Sequence, residues 1–224
     1  MTKPSWRYIL LKGARTFPAV PWRSHHRWRT RPITVAILLA GFVCFGVGEG
    51  LLVIAGIGVS PWTVLAQGIS RHTGLTLGTA IFLISGVVLL LWIPLRERPG
   101  LGTILNSFTI GYVTEFTVNV LPHPGQAWLQ LLCDLAGILI VGIGSSLYLT
   151  TNLGPGPRDG LMTSLHHKSG IRVSRVRLGL ELVVLCIGWF LGGNVGLGTV
   201  LFAVLIGRSV ALWLGILGRL THTP

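Results

Sequence analysis

Long hydrophobic runs separated by short polar segments make up most of the chain. Each run is close to the length of about 20 residues that an α-helix needs to cross a hydrocarbon core about 30 Å thick. The fifth run contains Arg175 and Arg177 near its start, and long arginine side chains can reach the membrane interface from there. This pattern predicts an all-α membrane bundle with six transmembrane helices. The runs span residues 33–55, 76–95, 101–121, 127–151, 174–191 and 197–218.

Composition also favours a membrane location. Half of the 224 residues are hydrophobic and only 11% are charged, whereas a soluble domain carries about 25% charged residues. The net charge of +12 does not indicate nucleic-acid binding, because the basic residues lie at the ends of the hydrophobic runs. Cys44, Cys133 and Cys186 all lie within the runs, which favours small core residues over disulfides or metal ligands. We therefore expect the lipid bilayer as a partner and no metal or cofactor.

Residues 1–32 form a basic tail with eight Lys or Arg residues and no acidic residue. The tail lacks the early apolar core and the small-residue cleavage site of a secretory signal, so we expect it to stay on the cytoplasmic side. Its tryptophans Trp6, Trp22 and Trp28 are suited to lying on anionic lipid headgroups. A disordered tail that serves only as a topology signal accounts for the same residues.

The distribution of positive charge predicts the orientation. With six spans and a cytoplasmic N-terminus, sixteen of the eighteen Lys and Arg residues fall in cytoplasmic segments. Arg71 then lies in an external segment, and Arg208 lies within a span. The positive-inside rule therefore predicts that both termini are cytoplasmic.

Two Gly- and Pro-rich breaks, residues 57–65 and 153–161, interrupt the hydrophobic pattern at a separation of 96 positions. When residues 46–115 are aligned with residues 142–211 without a gap, 18 of 70 positions are identical. The shared Gly and Pro residues are the most informative, because each marks a backbone requirement. The breaks therefore belong to an internal repeat. Their marker residues are Gly58 and Pro61 in the first break and Gly154, Pro155, Gly156, Pro157 and Gly160 in the second.

The repeat divides the membrane region into two units, residues 33–121 and 127–218, with three spans each. An odd number of spans inverts the second unit relative to the first, an arrangement typical of secondary transporters. Channels and non-transporting duplicated folds can share it. Residues 61–72 and 157–168 each predict a short helix that dips back toward the membrane, with an N-terminus suited to an anion. A plain interfacial helix is the alternative.

Apart from Arg175 and Arg177 at the start of the fifth run, five charged residues lie inside the predicted spans, where each costs about 2.5–3.5 kcal/mol on insertion scales. Such residues usually face the interior of a bundle. Glu181 and Arg208 fall at a similar depth, so we predict that they form an interior pair. Glu49, Glu115 and Asp134 fall in the outer half, where they either form a path for a proton or cation or reach headgroup water.

The two breaks carry different polar residues, which predicts different roles for the two units. Arg158 can bind a carboxylate or phosphate group, while Asp159 can cap the short helix or pair with Arg158. The sequence has no nucleophile–base arrangement or hydrolase motif, so we do not expect an enzyme. The candidate substrate-binding residues are Ser60, Trp62, Thr63, Arg158 and Asp159.

One segment carries a family resemblance. Residues 154–162, Gly-Pro-Gly-Pro-Arg-Asp-Gly-Leu-Met, are followed by Gly170, by Glu181 and by Gly-Leu-Gly-Thr at residues 196–199. These features resemble the YczE family of bacterial integral membrane proteins, which is similar to the broader YitT-type membrane proteins. The resemblance covers residues 33–215 and implies a protein of the bacterial cytoplasmic membrane with several spans. It implies no substrate.

We expect a secondary transporter or permease for a small organic or anionic solute, with buried carboxylates suited to proton coupling. The alternative is a non-transporting membrane factor that supports a partner enzyme complex at the cytoplasmic face. Its contact surfaces would be the basic tail and residues 152–177. A bundle of this size is also compatible with a homodimer.

Overall fold

The computed structural model describes Pro18, residues 20–28 and residues 30–221, which form eight α-helices and no β-strand. The prediction of an all-α fold is therefore confirmed. The helices are α1 (Pro32–Ala55), α2 (Pro61–Thr73), α3 (Leu77–Leu95), α4 (Leu101–Val120), α5 (Ala127–Thr151), α6 (Pro157–Ser169), α7 (Val173–Phe190) and α8 (Leu197–Thr221).

All six hydrophobic runs form helices, and the helix ends lie within three residues of the predicted ends. By length and composition, four of the described helices are able to cross a membrane, namely α1, α3, α5 and α8. Helix α4 is of similar length but carries polar residues such as Asn106 and Glu115. Helix α7 carries Arg175, Arg177 and Glu181. On average, α4 and α7 are therefore less apolar than the other four long helices.

Two shorter helices, α2 and α6, begin within the Gly- and Pro-rich breaks, at the residues where short helices are predicted. Pro61 and Pro157 begin these helices, at a position whose N–H has no partner within the helix in any case. Gly58 and Gly154 lie three residues earlier, with φ of 118° and 115°, a conformation that residues with a Cβ rarely adopt. The two breaks therefore share a backbone path that requires glycine at the same point.

Helices α1 and α5 form the centre of the bundle and pack antiparallel through glycine-rich faces. The backbone of Gly41 lies against Gly144, and that of Gly48 lies against Gly137, because residues without side chains let two helices approach closely. Helix α4 packs on α1 and α8 packs on α5, while α2 contacts α7 and α6 contacts α3. Each short helix therefore contacts a long helix from the other half of the chain.

Each break also docks onto the first turn of a helix from the other half. The N–H of Gly198 in α8 donates to the carbonyl of Ile57, and the N–H of Gly102 in α4 donates to the carbonyl of Leu153, both at 2.9 Å. The first N–H groups of a helix have no partner within it, and lipid offers none. These two hydrogen bonds therefore satisfy backbone groups in the interior of the bundle and tie the two halves together.

The end of the basic tail lies against the bundle. Trp22 Nε1 donates to Thr150 Oγ1 at 3.2 Å, at the end of α5. Arg27 lies 3.6 Å from Glu97, in the turn between α3 and α4. This part of the tail is thus held by helix ends, which neither of the two interpretations of the tail anticipated. Trp6 lies outside the described residues.

Gly58→Ala is expected to destabilise the fold. Its Cβ would lie 2.7 Å from the backbone N of Gly196 and would have to hold a φ of 118°, and such strain costs about 1–3 kcal/mol. Gly86→Ala is the matched control, since a Cβ there meets nothing within 4 Å. Thermal unfolding in detergent should give a lower midpoint for Gly58→Ala alone. Equal midpoints for the two variants would show that the close contact at Gly58 does not stabilise the fold.

Candidate functional site

A cavity of about 250 Å³ lies where the two breaks meet, and all eight helices contribute to its lining. A largely apolar cavity with a few convergent polar groups is the usual form of a ligand site. Four of the five candidate substrate-binding residues line it, and the fifth, Thr63, supports the wall through a hydrogen bond to Glu49. The polar and charged lining residues are Glu49, Ser60, Trp62, Ser85, Asn106, Ser145, Tyr148, Arg158, Asp159, Arg177 and Glu181.

The guanidinium of Arg158 stacks on Trp62, with its central carbon 5.0 Å from the ring centroid. A desolvated cation–π contact of this kind contributes about 2 kcal/mol. In the part of the chain that the structure describes, no carboxylate lies within 4.0 Å of this guanidinium. Burial lowers the pKa of Arg158, whereas the charges of Glu49 and Asp159 raise it, and arginine stays protonated at neutral pH. The cavity therefore contains a positive charge that no carboxylate of the described residues contacts directly.

Glu49 reaches from α1 to the start of α2 and is only 2% exposed. Ser60 donates to its carboxylate at 2.8 Å, and Thr63 donates at 2.7 Å. The helix N-terminus that we expected to suit a solute anion is thus occupied by a carboxylate of the protein itself. Because Glu49 lies in the bundle interior, the alternative that it reaches headgroup water is wrong.

Asp159 lies in the first turn of α6 and accepts a hydrogen bond from the hydroxyl of Tyr148 in α5. Among the described contacts it forms neither of the two expected interactions, the helix cap and the ion pair with Arg158. Tyr148 is 4% exposed. Sequence reasoning missed this residue, because a single tyrosine in an apolar run gives no sign of its partner. The hydroxyl holds α6 against the central helix pair.

Glu181 pairs with Arg177 and not with Arg208. Arg177 Nε lies 2.8 Å from Glu181 Oε1 on α7, and both residues line the cavity. The predicted Glu181–Arg208 pair is wrong, because Arg208 is exposed on α8 and does not line the cavity. The residue 96 positions before it, Tyr112, is also exposed, so this helix face points outward in both halves. The i,i+4 spacing of Arg177 and Glu181 on one helix is the feature of the sequence that indicates this ion pair.

The other two acids of the predicted outer half lie away from the cavity. Glu115 accepts hydrogen bonds from Thr76 Oγ1 at 2.6 Å and from the N–H of Gly78 at 3.0 Å, so it holds the start of α3. Asp134 is 0% exposed and lies beside Gly198, and neither of its carboxyl oxygens has a hydrogen-bond partner among the described residues. Because Asp134 is fully buried, the alternative that it reaches headgroup water is also wrong.

The cavity has a tight helix pair on one side and a loose pair on the other. Helices α3 and α4 are in close contact, since the rings of Phe82 and Phe108 lie 4.8 Å apart and Gly78 lies against Gly111. Within the described residues no comparable contact joins α7 and α8, and a Cβ at Gly207 would meet nothing within 4 Å. On this side the cavity is therefore lined by two helices that do not pack closely against each other.

The apolar helices, the interrupted segments and the central polar cavity define a multi-pass helical membrane protein. Residues 32–214 match a family described as "Family of unknown function (DUF6198)". The match covers most of the chain, and the chain belongs to this family. No solved structure matches the chain.

Three relatives show how widely the sequence is shared. An "Uncharacterized protein" of Haemophilus influenzae is 43% identical over 213 residues, which cover 95% of this chain and 98% of the relative. The "Uncharacterized membrane protein YczE" of Bacillus subtilis is 32% identical over 170 residues, which cover 75% of this chain and 79% of the relative. The "Uncharacterized protein YyaS" of the same organism is 27% identical over 183 residues, which cover 80% of this chain and 91% of the relative. The resemblance to YczE-type membrane proteins is therefore confirmed.

Tyr148→Phe is expected to destabilise the protein, because it removes the hydroxyl that donates to Asp159. A buried hydrogen bond to a charged group contributes about 1.5–3 kcal/mol. Tyr112→Phe is the matched control, since Tyr112 is 74% exposed. Thermal unfolding in one detergent compares the two variants with wild type. If both variants have the wild-type midpoint, the hydroxyl contact with Asp159 does not stabilise the site.

Proposed function

We propose that this protein is a secondary transporter for a small organic solute that carries a carboxylate or phosphate group. One observation carries the proposal: the guanidinium of Arg158 lies in a central cavity, stacked on Trp62, without a carboxylate partner in the described chain. Arginine binds both kinds of anionic group through two parallel hydrogen bonds. Transporters commonly bind substrate beside interrupted helices near the middle of the membrane.

The proposed architecture is a pair of inverted units, each with three long helices. Contacts that recur at a separation of 96 residues support it. The two hydrogen bonds that dock the breaks onto α8 and α4 are equivalent, with the roles of the two halves exchanged. Trp62 and Arg158 are themselves equivalent positions, and they touch. Equivalent residues can touch only near an axis that relates the two halves, so this axis would pass through the cavity.

The proposal includes α4 and α7 among six spans, although both helices are less apolar than the other four. Several of their polar side chains line the cavity or have a hydrogen-bond partner. Asn106 of α4 lines the cavity, as do Arg177 and Glu181 of α7. Glu115 of α4 bonds to the start of α3. Polar residues that face a bundle interior are tolerated within spans.

Alternating access would exchange the tight and loose helix pairs. Opening of α3 from α4, together with closing of α7 onto α8, would turn the cavity to the other side of the membrane. The positive-inside rule assigns the start of α7 to the cytoplasm, so the described conformation would be open inward. Contacts of the tail with Thr150 and Glu97 support cytoplasmic termini, in the cytoplasmic membrane of a bacterium.

Charge balance in the cavity favours entry of a proton together with the anion. Three carboxylates, Glu49, Asp159 and Glu181, line the cavity with two guanidinium groups, Arg158 and Arg177. A bound anion would add negative charge to a site that already has an excess of it. Like charges in a poorly solvated bundle raise the free energy, and a proton taken up by a buried carboxylate of the bundle would reduce this excess.

Binding and uptake assays with Arg158 variants test the proposal. A thermal-shift screen of purified wild type with small carboxylates and phosphates selects a ligand, which is then used for uptake into proteoliposomes. Arg158→Gln should abolish both the shift and the uptake, and Arg158→Lys should weaken both, because lysine lacks the planar fork of donors. Arg208→Gln, at an exposed position outside the cavity, is the matched control and should retain both.

Two results would contradict the proposal. Equal uptake by Arg158→Gln and wild type would exclude Arg158 from the substrate site. Ligand binding without flux, together with loss of a partner enzyme's activity when residues 1–30 are deleted, would favour a non-transporting membrane factor.

Cross-linking of equivalent helix pairs tests the exchange of conformations. One protein carries cysteines in place of Phe82 and Phe108, another carries them in place of the equivalent residues Leu178 and Val204, and serines replace the native cysteines. A short thiol-specific cross-linker should link each pair. In a protein with all four cysteines, a molecule linked at one pair should not be linked at the other, because one pair closes as the other opens. Frequent double links would exclude the exchange.

A further inference from the structure

Asp134 is a buried acidic side chain with no hydrogen-bond or ion-pair partner among the described residues. It is 0% exposed, and neither carboxyl oxygen has a hydrogen-bond partner among the described residues. No basic side chain of the described chain lies within 4.0 Å of it. Glu49 and Glu115, by contrast, each accept two or more hydrogen bonds. A buried acid without donors or counter-charge is stable in its neutral form, since proteins avoid an unpaired buried charge by neutralising it.

We propose that Asp134 binds the coupling proton of the transport cycle and is protonated in the conformation described here. The proposal rests on the transport function proposed above. The bound proton itself, however, is detectable without any substrate. The ligand of this second site is therefore a proton, and the site lies apart from the cavity that would bind the solute.

The position of Asp134 connects it with the contact between the two halves. A Cβ on Gly198 would lie 2.5 Å from Asp134 Oδ1 and 2.6 Å from the carbonyl oxygen of Gly58. The carboxyl group thus lies beside the docking point of the first break on α8, where the N–H of Gly198 donates to Ile57. An ionised Asp134 would compete for the N–H groups at the start of α8, because helix N-termini attract carboxylates. Loss of the proton would therefore weaken this docking contact.

The equivalent position in the other half carries no ionisable side chain. The residue 96 positions before Asp134 is Leu38, which is also 0% exposed. With a protonated Asp134, the two equivalent positions both carry an uncharged side chain. Loss of the proton changes only the contact of the first break, so the proton can bias the exchange between the two conformations.

The other titratable groups on the packed elements do not neutralise Asp134. Helix α5 packs against α1 and α8, and residues 57–60 of the first break carry no titratable side chain. Glu49 on α1 bonds to Ser60 and Thr63. Arg208 lies ten residues beyond Gly198, which is about 15 Å along α8 at 1.5 Å per residue. The remaining titratable side chains of the three helices are Cys44, Cys133, Tyr148 and Arg219.

Infrared spectroscopy of the full-length protein in nanodiscs at neutral pH tests the protonation directly. A protonated carboxylic acid has a carbonyl stretching band that a carboxylate lacks. The band should be present in wild type, lost in Asp134→Asn and retained in Glu115→Gln, the matched control. An acid band that is unchanged in Asp134→Asn would overturn the proposal.

Asp134→Leu keeps the test decisive if Asp134→Asn does not fold. This variant copies Leu38 of the equivalent contact and should also lose the acid band. A neutral acid should tolerate a neutral replacement, so failure of both variants to fold would overturn the proposal. Loss of the acid band on addition of sodium at constant pH would identify a sodium site and would overturn it as well.

The pH dependence of cross-linking tests the coupling to conformation. In wild type, raising the pH should increase linking of cysteines at Leu178 and Val204 and decrease linking of cysteines at Phe82 and Phe108. A higher pH makes thiols more reactive and would by itself increase linking at both pairs. Opposite responses of the two pairs therefore indicate a conformational change. Asp134→Asn should abolish both responses, and responses that persist in this variant would overturn the coupling role. Failure of the Arg158 uptake test would leave these readouts unchanged, so the two failures are distinguishable.

Discussion

The absence of hydrogen-bonding partners in lipid is the constraint on which this structure depends. A chain interrupted within the membrane exposes backbone N–H and C=O groups, and only other protein groups can satisfy them. Here each break bonds to the first turn of a helix from the opposite half, through Ile57 and Gly198 and through Leu153 and Gly102. Both breaks are thereby held at the centre of the bundle. The central cavity follows from this arrangement, because two helix starts meet there instead of two packed side-chain layers.

The charges in the cavity follow from the same arrangement. Glu49 compensates the positive dipole end at the start of α2. The start of α6 carries Asp159, whose carboxylate accepts a hydrogen bond from Tyr148. Arg177 and Glu181 compensate each other on α7. These interactions leave the guanidinium of Arg158 as the cation without a direct carboxylate partner in the described chain. The proposed recognition of an anionic solute rests on this guanidinium.

The two halves share a backbone path but differ in side chains and in helix contacts. Trp62 and Arg158 occupy equivalent positions and stack on each other, so an aromatic side chain of the first half meets a cationic side chain of the second. The tight contact near Phe82 has only a loose counterpart between α7 and α8. Asp134 adds a third difference, because its equivalent is Leu38. In the proposed transport cycle, such differences would allow one half to respond to a solute or a proton that the other half does not bind.

The sequence by itself determined the helices and the breaks, because both depend on local properties. Apolar runs of this length form helices in lipid, and Pro61 and Pro157 can begin a helix but not continue one. Only the tertiary structure decided which side chains meet, as the separation of Arg208 from Glu181 and the burial of Asp134 illustrate. Successive residues on a helix are rotated by about 100°, given 3.6 residues per turn. Sequence position therefore indicates depth in the membrane, whereas the direction of a side chain around its helix depends on how the helices pack.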